Sequence, residues 1–253
     1  MDATRAGSMV DEASQEPVSS ADEQVPESFL ARLRPTDRDF LLDGCAPRAF
    51  PANAVLFHYG DLSDFAIFLI SGWVKVSTDS LNGHEALLAI RGPGDVLGEL
   101  AAIDGRSRSA TVRTLIPVRA AVLPADRFVN RLRERPEIAL ALLGDVADRL
   151  RDSDSRRLGF GAHTVPERLA AYLLELAQRH GTAVADGTEI DVPLSQRELA
   201  GAIGASREAV ARCLRILRER RVIVTRRRRV VVLQPQILRS MGINVHIDTD
   251  ERW

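Results

Sequence analysis

Two short strings in the first half of the chain carry the groups needed to bind a phosphorylated sugar. Gly98-Glu99-Leu100 comes first, and Arg108-Ser109 follows it. Gly98 allows a ligand to approach the backbone closely, and the amides of the short helix expected after it attract an anion. Arg108 offers five N–H donors to phosphate oxygens, and Ser109 adds a hydroxyl and an amide. Glu99 is a poor neighbour for a phosphate but a good acceptor for a ribose hydroxyl.

These charges have a simpler alternative explanation. Taken in isolation, Glu99 and Arg108 are better explained as a structural ion pair within a β-rich domain. The whole segment from Gly98 to Ala110, which we call the cassette, supplies contacts for a phosphate and a ribose at once, and this combination favours a cyclic nucleotide. The candidate nucleotide ligands of the cassette are Gly98, Glu99, Leu100, Arg108 and Ser109.

The stretch from Gln196 to Ile216 has the pattern of a DNA-binding helix-turn-helix. Ser195 and Glu198 have the spacing of a capping box, and Gly204 permits a tight turn before a second helix. The first residues of that second helix would meet base edges in a major groove, where arginine can fork onto guanine and glutamate can accept from cytosine. The candidate base-reading residues are Ser206, Arg207, Glu208 and Arg212, and the candidate phosphate contacts are Gln196 and Arg197.

A predicted hairpin after this motif makes it a winged helix. Its strands are Val222–Thr225 and Val230–Leu233, and Arg226–Arg229 form its tip. At that tip a phosphate contact and a solvated turn are equally good explanations. Glu208 and Arg212 share one face of the second helix, so they can brace each other. A surface helix with a stabilising ion pair is therefore the alternative to a recognition helix.

Charge is unevenly distributed along the chain. Residues 1–27 contain seven acids and one base, and this polar composition predicts a disordered acidic tail. Residues 165–240 contain fourteen arginines against eight acids. A basic segment inside a nearly neutral chain is typical of a domain that binds a polyanion such as DNA.

The overall composition excludes several other classes of protein. The chain has 253 residues, 45% of them hydrophobic, and a net charge of −1, which fits one large domain or two smaller ones. Its two cysteines, Cys45 and Cys213, exclude a disulfide-stapled module and a four-cysteine metal site, and Cys213 is expected in the core. No apolar run approaches the roughly 18 residues of a membrane helix, and no secretory signal is visible. We therefore expect a cytoplasmic protein with no membrane partner.

The first motif must be positioned by β-structure. Short apolar runs separated by turn formers predict an antiparallel barrel or roll between Arg48 and Leu123, and Asn82-Gly83 is its clearest hairpin signal. The predicted strands are Ala54–His58, Phe65–Ile70, Val74–Val76, Ala86–Ile90, Ala110–Val112 and Val118–Leu123.

Helices are predicted on both sides of this roll. Pro26–Leu33 and Pro35–Leu42 precede it, the second with Thr36 as N-cap, and Pro124–Leu158 follows it as one long helix. A heptad seam on the long helix allows it to pack on its own roll or to pair with its copy in a second subunit. The seam residues are Ala139, Leu143, Val146, Leu150, Ser153 and Arg157. Another helix begins near Thr164, and a loop is predicted over Gly181–Gly187.

These features make the chain similar to the cyclic-AMP receptor family of bacterial transcription regulators, also called catabolite activator proteins. The resemblance covers about residues 28–235 and rests on the glycine-punctuated roll, both strings of the cassette, the long helix, and Ser206-Arg207-Glu208 with Arg212. It implies an α+β fold in which a β-roll of the double-stranded β-helix or jelly-roll type binds the nucleotide. The implied divisions are an acidic tail at 1–27, the roll at 28–134, a dimerisation helix and hinge at 135–163, a winged helix-turn-helix at 164–235, and a C-terminal tail at 236–253.

The resemblance also implies a mode of action and a set of partners. It implies a regulator and not an enzyme, a homodimer formed through residues 138–157, and RNA polymerase as a further partner. The implied effector is cyclic AMP, with cyclic GMP as an alternative, and the implied DNA is a palindrome with GTGA-type half-sites. Two residues late in the family's long helix contact the purine, one from each subunit, and they fall on Ser153 and Asp154. Asp154 departs from the family pattern, which leaves the identity of the purine open.

Several rival functions are weighed against this one. Iron–sulfur oxygen sensors of the same fold need an N-terminal cysteine set that is absent, and haem-based sensors need a cysteine near a histidine such as His84, which has none. A regulatory subunit that gates a kinase or a channel could use the same roll, but the helix-turn-helix argues against it. A DNA-binding protein with a vestigial pocket, or with a different small effector, stays open.

Overall fold

The computed structural model describes residues 28–62, 64–79, 85–226 and 229–241. An N-terminal β-roll is followed by helices and a winged helix-turn-helix, which confirms the predicted fold class. The predicted tail at 1–27 and the turn Asn82-Gly83 lie outside the described residues. The strands of the roll are β1 Ala46–Phe50, β2 Val55–Phe57, β3 Phe65–Ser71, β4 Val74–Asp79, β5 Glu85–Arg91, β6 Val96–Leu97, β7 Thr111–Thr114 and β8 Val118–Pro124.

Two antiparallel sheets, in the orders β1-β8-β3-β6 and β2-β7-β4-β5, form the roll. Strand β3 is nearly continuously buried, because the two faces of its sheet are both covered. Ile67 and Leu69 enter the interior between the sheets. Ala66 and Phe68 point to the opposite face and pack under helices. The predicted strands are all present, whereas β1 and the two-residue β6 were not predicted.

Several predicted helix boundaries are wrong. The first predicted helix, Pro26–Leu33, is a single 3-10 turn at Leu30–Arg32 within the described residues. The next helix begins at Pro35 with Arg34 and not Thr36 as its N-cap, because proline suits the first helical position, where no N–H is needed. The helices of the described chain are α1 Pro35–Leu42, α2 Glu99–Asp104, α3 Ala125–Glu134, α4 Pro136–Ala162, α5 Val165–His180, α6 Gln196–Ile203, α7 Arg207–Glu219 and α8 Pro235–Met241.

The long helix predicted over Pro124–Leu158 is two helices, α3 and α4. The break falls at Arg135, whose backbone leaves the helical region immediately before Pro136. Proline lacks the amide hydrogen that would continue the ladder, and its ring disfavours a helical conformation in the preceding residue. The heptad seam lies wholly within α4, so the break lets α4 take a direction different from that of α3.

The second half of the chain holds a sheet that the sequence only partly predicted. The predicted loop Gly181–Gly187 is mostly a hairpin, formed by β9 Gly181–Val184 and β10 Gly187–Ile190. These strands join the wing strands β11 Ile223–Arg226 and β12 Arg229–Val232 in the order β11-β12-β10-β9. Helix α8 buries Leu238, so the first part of the predicted tail 236–253 belongs to this domain. No helix among the described residues is long and apolar enough to cross a membrane.

Arg149 fastens helix α4 to the roll. Its guanidinium lies 2.8 Å from Glu99 of the cassette and 2.8 Å from Asp145, and it donates to the backbone oxygen of Val96 over 3.1 Å. Glu99 and Asp145 are each 5% exposed. Two buried carboxylates therefore share one cation, and each would be left without compensation if that cation were removed.

We predict that Arg149→Ala destabilises the fold far more than Arg151→Ala. The first variant leaves two buried carboxylates without their ion-pair partner, which costs about 3–5 kcal/mol. The Arg151–Asp148 pair is largely exposed and contributes less than about 1 kcal/mol. Chemical denaturation of both variants measures the two losses. Equal losses would contradict the role assigned to Arg149.

Candidate functional site

The cassette begins with a backbone conformation that only glycine adopts readily. Gly98 has φ +74° and is the N-cap of α2, between β6 and the helix. A Cβ atom at this position would lie 1.8 Å from Nη1 of Arg108. Glycine is therefore required here for both the turn and the close approach of the arginine.

Arg108 is a buried cation without a carboxylate partner. It is 2% exposed, and it donates from Nη1 to the Gly98 oxygen over 3.0 Å and from Nη2 to the Phe65 oxygen over 2.9 Å. No ion pair joins it to any acid among the described residues, and its Nε is buried without a hydrogen-bond partner. Burial lowers the pKa of Arg108, and the more distant Asp64 and Glu99 only partly oppose this. Such a site can accept an anion at little electrostatic cost.

The alternative structural pair between Glu99 and Arg108 is not formed. Glu99 instead accepts from Arg149 of α4, a functional candidate that the sequence analysis missed. The only sequence signal was the spacing of Asp145 and Arg149, which places them on one helix face. Arg149 thus joins the predicted ribose acceptor to the long helix.

The remaining predicted nucleotide ligands lie near the cassette or farther along α4. Ser109 is exposed, and Leu100 is half-exposed on α2. Ser153 and Asp154 are exposed on α4, about one turn beyond Arg149. Within one chain the structure therefore brings Arg149, and not Ser153 or Asp154, into contact with the cassette.

The helix-turn-helix has the local geometry that the sequence predicts. Ser195 accepts from the Glu198 amide, and Glu198 accepts in return from the Ser195 amide over 2.7 Å. Gly204 ends α6 in the left-handed region, and Ser206 caps α7 through the Ala209 amide. Arg168 of α5 donates to the oxygens of Ile203 and Gly204 and so fixes the turn. Val210, Leu214 and Leu217 form the buried face of α7, and Cys213 is only partly buried.

The predicted base-reading residues lie on the exposed face at the start of α7. Ser206, Arg207, Glu208 and Arg212 are exposed, as is Arg197 on α6, whereas Gln196 is half-buried. The predicted brace between Glu208 and Arg212 is wrong, since no ion pair joins them in the described part of the chain. Both side chains therefore keep their hydrogen-bonding groups available.

The wing is held by one buried acid. Glu189 of β10 lies 3.3 Å from Arg226 and 2.5 Å from Arg229, the residues at the inner ends of the wing strands. The hydrogen bond to Glu189 is the main cause of a raised pKa at Arg229. Arg227 and Arg228, the other two arginines of the predicted tip, lie outside the described residues.

The start of the recognition helix faces the roll of the same chain. A cleft of about 750 Å³ is lined by Ser195, Arg197 and Arg207 on one side and by Lys75 and Leu87 of the roll on the other. Leu87 and Ile90 of β5, together with Trp73 and Leu115, belong to the same hydrophobic cluster as the core of the C-terminal domain. In this arrangement Ser206 and Arg207, at the start of α7, face the roll across the cleft.

Helices α4 and α5 make further contacts beside this cleft. Arg179 pairs with Asp152 of α4 over 2.5 Å, and Arg156 of α4 donates to the Leu88 oxygen of β5 over 2.9 Å. The His180 ring meets Trp73 edge-on at 4.8 Å. Burial, followed by the nearby Arg179, lowers the pKa of His180 to about 3, so a neutral ring packs at this interface.

Comparison with known proteins places both halves of the chain in described families. Residues 47–135 match the model of the cyclic nucleotide-binding domain, and residues 167–241 match that of the Crp-like helix-turn-helix domain. A CRP-like cAMP-activated global transcriptional regulator of Mycobacterium tuberculosis is 37% identical over 168 residues, which span 66% of this chain and 75% of that protein. The global nitrogen regulator of Nostoc sp. is 29% identical over 191 residues, which span 75% of this chain and 86% of that protein.

The solved structures agree with this fold. FixK2 from Bradyrhizobium japonicum superposes with a TM-score of 0.70 at 22% identity, over 78% of this chain and 96% of that one. Both domain models match in order, and the chain covers 75% of the mycobacterial relative. The chain therefore belongs to the CRP/FNR family of cyclic-nucleotide-binding transcription regulators, which are DNA-binding proteins and not enzymes.

Proposed function

We propose that this protein is a homodimeric transcription factor whose DNA binding is controlled by cyclic AMP. The observation that carries the proposal is Arg108, a buried cation beside Gly98. Among the described residues it has no carboxylate partner, and its Nε has no hydrogen-bond partner. The phosphate of a cyclic nucleotide would supply the missing negative charge, with Ser109 adding a hydroxyl. Glu99 would accept from the ribose, either beside Arg149 or in exchange for it.

The choice of cyclic AMP rests on the mycobacterial relative, whose name gives it as cAMP-activated. Other relatives carry names that mention no cyclic nucleotide, such as the nitrogen regulator of Nostoc. Ser153 and Asp154 would complete the site around the purine. Because an ionised Asp154 only accepts hydrogen bonds, it would accept from the amino group of adenine or from the guanine edge. We therefore keep cyclic GMP as the alternative effector.

The homodimer is proposed through residues 138–157 of α4. One face of this helix packs on the roll through Ile138 and Leu142, and the seam face is exposed. Leu143 and Leu150 of the seam are 63% and 62% exposed. Leucines at heptad positions with no intrachain cover are suited to a parallel helix pair. The two α4 helices would then bring Ser153 and Asp154 of one subunit toward the cassette of the other.

Helix α4 would couple nucleotide binding to DNA binding. Arg149 connects it to Glu99, and Asp152 and Arg156 connect it to the C-terminal domain and to β5. A change in the partner of Glu99 would therefore move α4. This helix also holds the DNA-binding domain against the roll, where the roll would restrict access of DNA to the start of α7. The effector would shift the population toward dimers whose α7 helices are free to bind DNA. Such a regulator would act in the cytoplasm and contact RNA polymerase.

The proposed DNA target is a palindrome with GTGA-type half-sites. Arg207 or Arg212 would fork onto a guanine, and Glu208 would accept from a cytosine amino group on the complementary strand. Gln196 and Arg197 would contact phosphates. A two-fold dimer should place the centres of the half-sites roughly 10–10.5 base pairs apart.

Calorimetric titration with cyclic AMP and cyclic GMP tests the effector, and two glycine variants test the pocket. Gly98 and Gly105 both have positive φ, but a Cβ at Gly98 collides with Arg108, whereas one at Gly105 meets nothing within 4 Å. We expect Gly105→Ala to lose about 1–2 kcal/mol of stability from backbone strain alone. Gly98→Ala should lose more, because its Cβ also displaces Arg108. Only Gly98→Ala, like Arg108→Ala, should weaken nucleotide binding at least about tenfold. Equal affinities in the two glycine variants would refute the pocket.

Selection from a random DNA pool tests the recognition helix. Glu208→Ala should relax the preference at one base pair and cost about 1–3 kcal/mol on the preferred site. Arg197→Ala should weaken binding to all sites alike. It should also reduce the slope of log affinity against log salt concentration by about one. Enriched sites without two-fold symmetry, or an unchanged motif with Glu208→Ala, would overturn the assignment.

Loosening the contacts between the domains should raise DNA binding in the absence of nucleotide. Asp152→Asn weakens and Arg156→Ala removes a partly buried ion pair with α5, to Arg179 and to Glu175. Each pair is worth about 0.2–1 kcal/mol, so each variant should raise basal affinity up to about fivefold. Arg151→Ala on the exposed side of α4 is the control and should leave it unchanged. Fluorescence anisotropy of a labelled operator measures the affinity for DNA without nucleotide. A lower affinity with Asp152→Asn would count against the proposal that contact with the roll restricts access to α7.

A further inference from the structure

The guanidinium of Arg108 lies against two aromatic rings. Its Cζ is 4.1 Å from the ring centroid of Phe57 and 4.5 Å from that of Phe65. The two rings are 6.4 Å apart and inclined at 63° to each other. Phe57 ends β2 and Phe65 begins β3, and Phe57 is 8% exposed. We call these two rings the aromatic cage.

Backbone hydrogen bonds fix the arginine at both ends. Its amide donates to the Asp61 oxygen over 2.8 Å, and its oxygen accepts from the Gly60 amide over 2.9 Å. Its Nη1 and Nη2 donate to the oxygens of Gly98 and Phe65. The remaining edge of the guanidinium, at Nε, is buried and has no hydrogen-bond partner.

Another buried arginine of the same roll provides a useful contrast. Arg131 also lies near a ring, that of Phe40, but at 5.5 Å. Its terminal nitrogens donate to three backbone oxygens of the α1 end, at Phe40, Leu41 and Asp43. Arg131 is therefore a structural cap whose two terminal nitrogens both bond to the backbone, whereas Arg108 keeps a buried Nε without a partner in the described structure.

We propose that Phe57 and Phe65 are positioning residues that hold Arg108 as a buried cation and present its Nε edge to the phosphate of the bound nucleotide. The negative faces of the rings compensate a desolvated cation. A carboxylate would do so more strongly, but it would neutralise the arginine and repel the phosphate. The aromatic cage thus stabilises the charge without competing for the ligand. This inference rests on the proposed function, since it concerns the same site.

The first experiment uses the protein without nucleotide. The Arg108 Nε–H resonance, assigned by its loss in Arg108→Lys, should be shifted by the ring currents and should exchange slowly with water. Phe57→Leu and Phe65→Leu should reverse the shift and speed the exchange. Phe68→Leu is the control, because Phe68 is also a buried phenylalanine of the roll but contacts Phe29 and Phe128 instead. A resonance that is unaffected by both cage variants would overturn the aromatic cage.

The second experiment measures the affinity for cyclic AMP and cyclic GMP by calorimetry. Phe57→Leu and Phe65→Leu should each weaken binding about 2- to 30-fold, the range of a cation–π contact. Phe57→Tyr should retain affinity, and Phe68→Leu should lose stability but not affinity. In an Arg108→Ala background the cage variants should cause no further loss, which a merely structural role would not explain.

The outcomes separate this inference from the function on which it rests. If the wild-type protein binds nucleotide, two results would overturn the positioning role alone. In the first, the cage variants bind as tightly as the wild-type protein. In the second, they lose as much affinity in the Arg108→Ala background as in the wild-type background. If the wild-type protein binds neither nucleotide, the proposed function fails. If the Nε–H of that protein is nevertheless shifted and protected, the aromatic cage has only a structural role. This result would overturn the proposal that the cage presents Arg108 to a phosphate.

Discussion

The architecture of the roll depends on one electrostatic constraint, the burial of the Arg108 cation without a carboxylate beside it. A buried charge is tolerated when hydrogen bonds and polarisable groups replace water, and here two backbone oxygens and two aromatic rings do so. The contact with the Gly98 oxygen requires a backbone that passes within reach of Nη1, and this excludes any side chain at Gly98. The positions of β3, β6 and the start of α2 are all fixed by this single group.

The same constraint determines what Glu99 does. A carboxylate adjacent to a buried arginine would ordinarily pair with it, yet Glu99 pairs with Arg149 from α4, and Asp145 shares that cation. The cassette is thereby divided into a cationic part with no carboxylate partner among the described residues and an anionic part that is bonded to the long helix. Because Arg149 and Asp152 both lie on α4, the helix that contacts the cassette also contacts the DNA-binding domain. Under our proposal, this shared helix is the physical route from nucleotide to DNA.

Local signals in the sequence predicted most of the elements, and long-range contacts account for most of what was missed. The capping box at Ser195 and the left-handed Gly204 depend only on neighbouring residues, and both were predicted correctly. The bond between Glu99 and Arg149 joins residues fifty positions apart, and no periodicity reveals it. The hairpin at β9 and β10 looked like a loop because its glycines and polar residues are poor strand formers, and its pairing with β12 overrides that preference. The break at Pro136 was predictable from the proline, because the seam residues all follow it and do not support a helix across it.

Charge counts along the chain overstate what the C-terminal domain presents to DNA. Of its many arginines, Arg226 and Arg229 share the buried Glu189, so part of the basic excess serves to hold the wing to β10. The charge at the start of the recognition helix is distributed differently, because three cationic side chains line the cleft against the roll. They are Lys75, Arg197 and Arg207. Glu198 also lines this cleft, but its carboxylate is engaged in the capping box. Under our proposal, a modest free energy from the effector would be enough to separate the DNA-binding domain from the roll and to make these cations available to DNA.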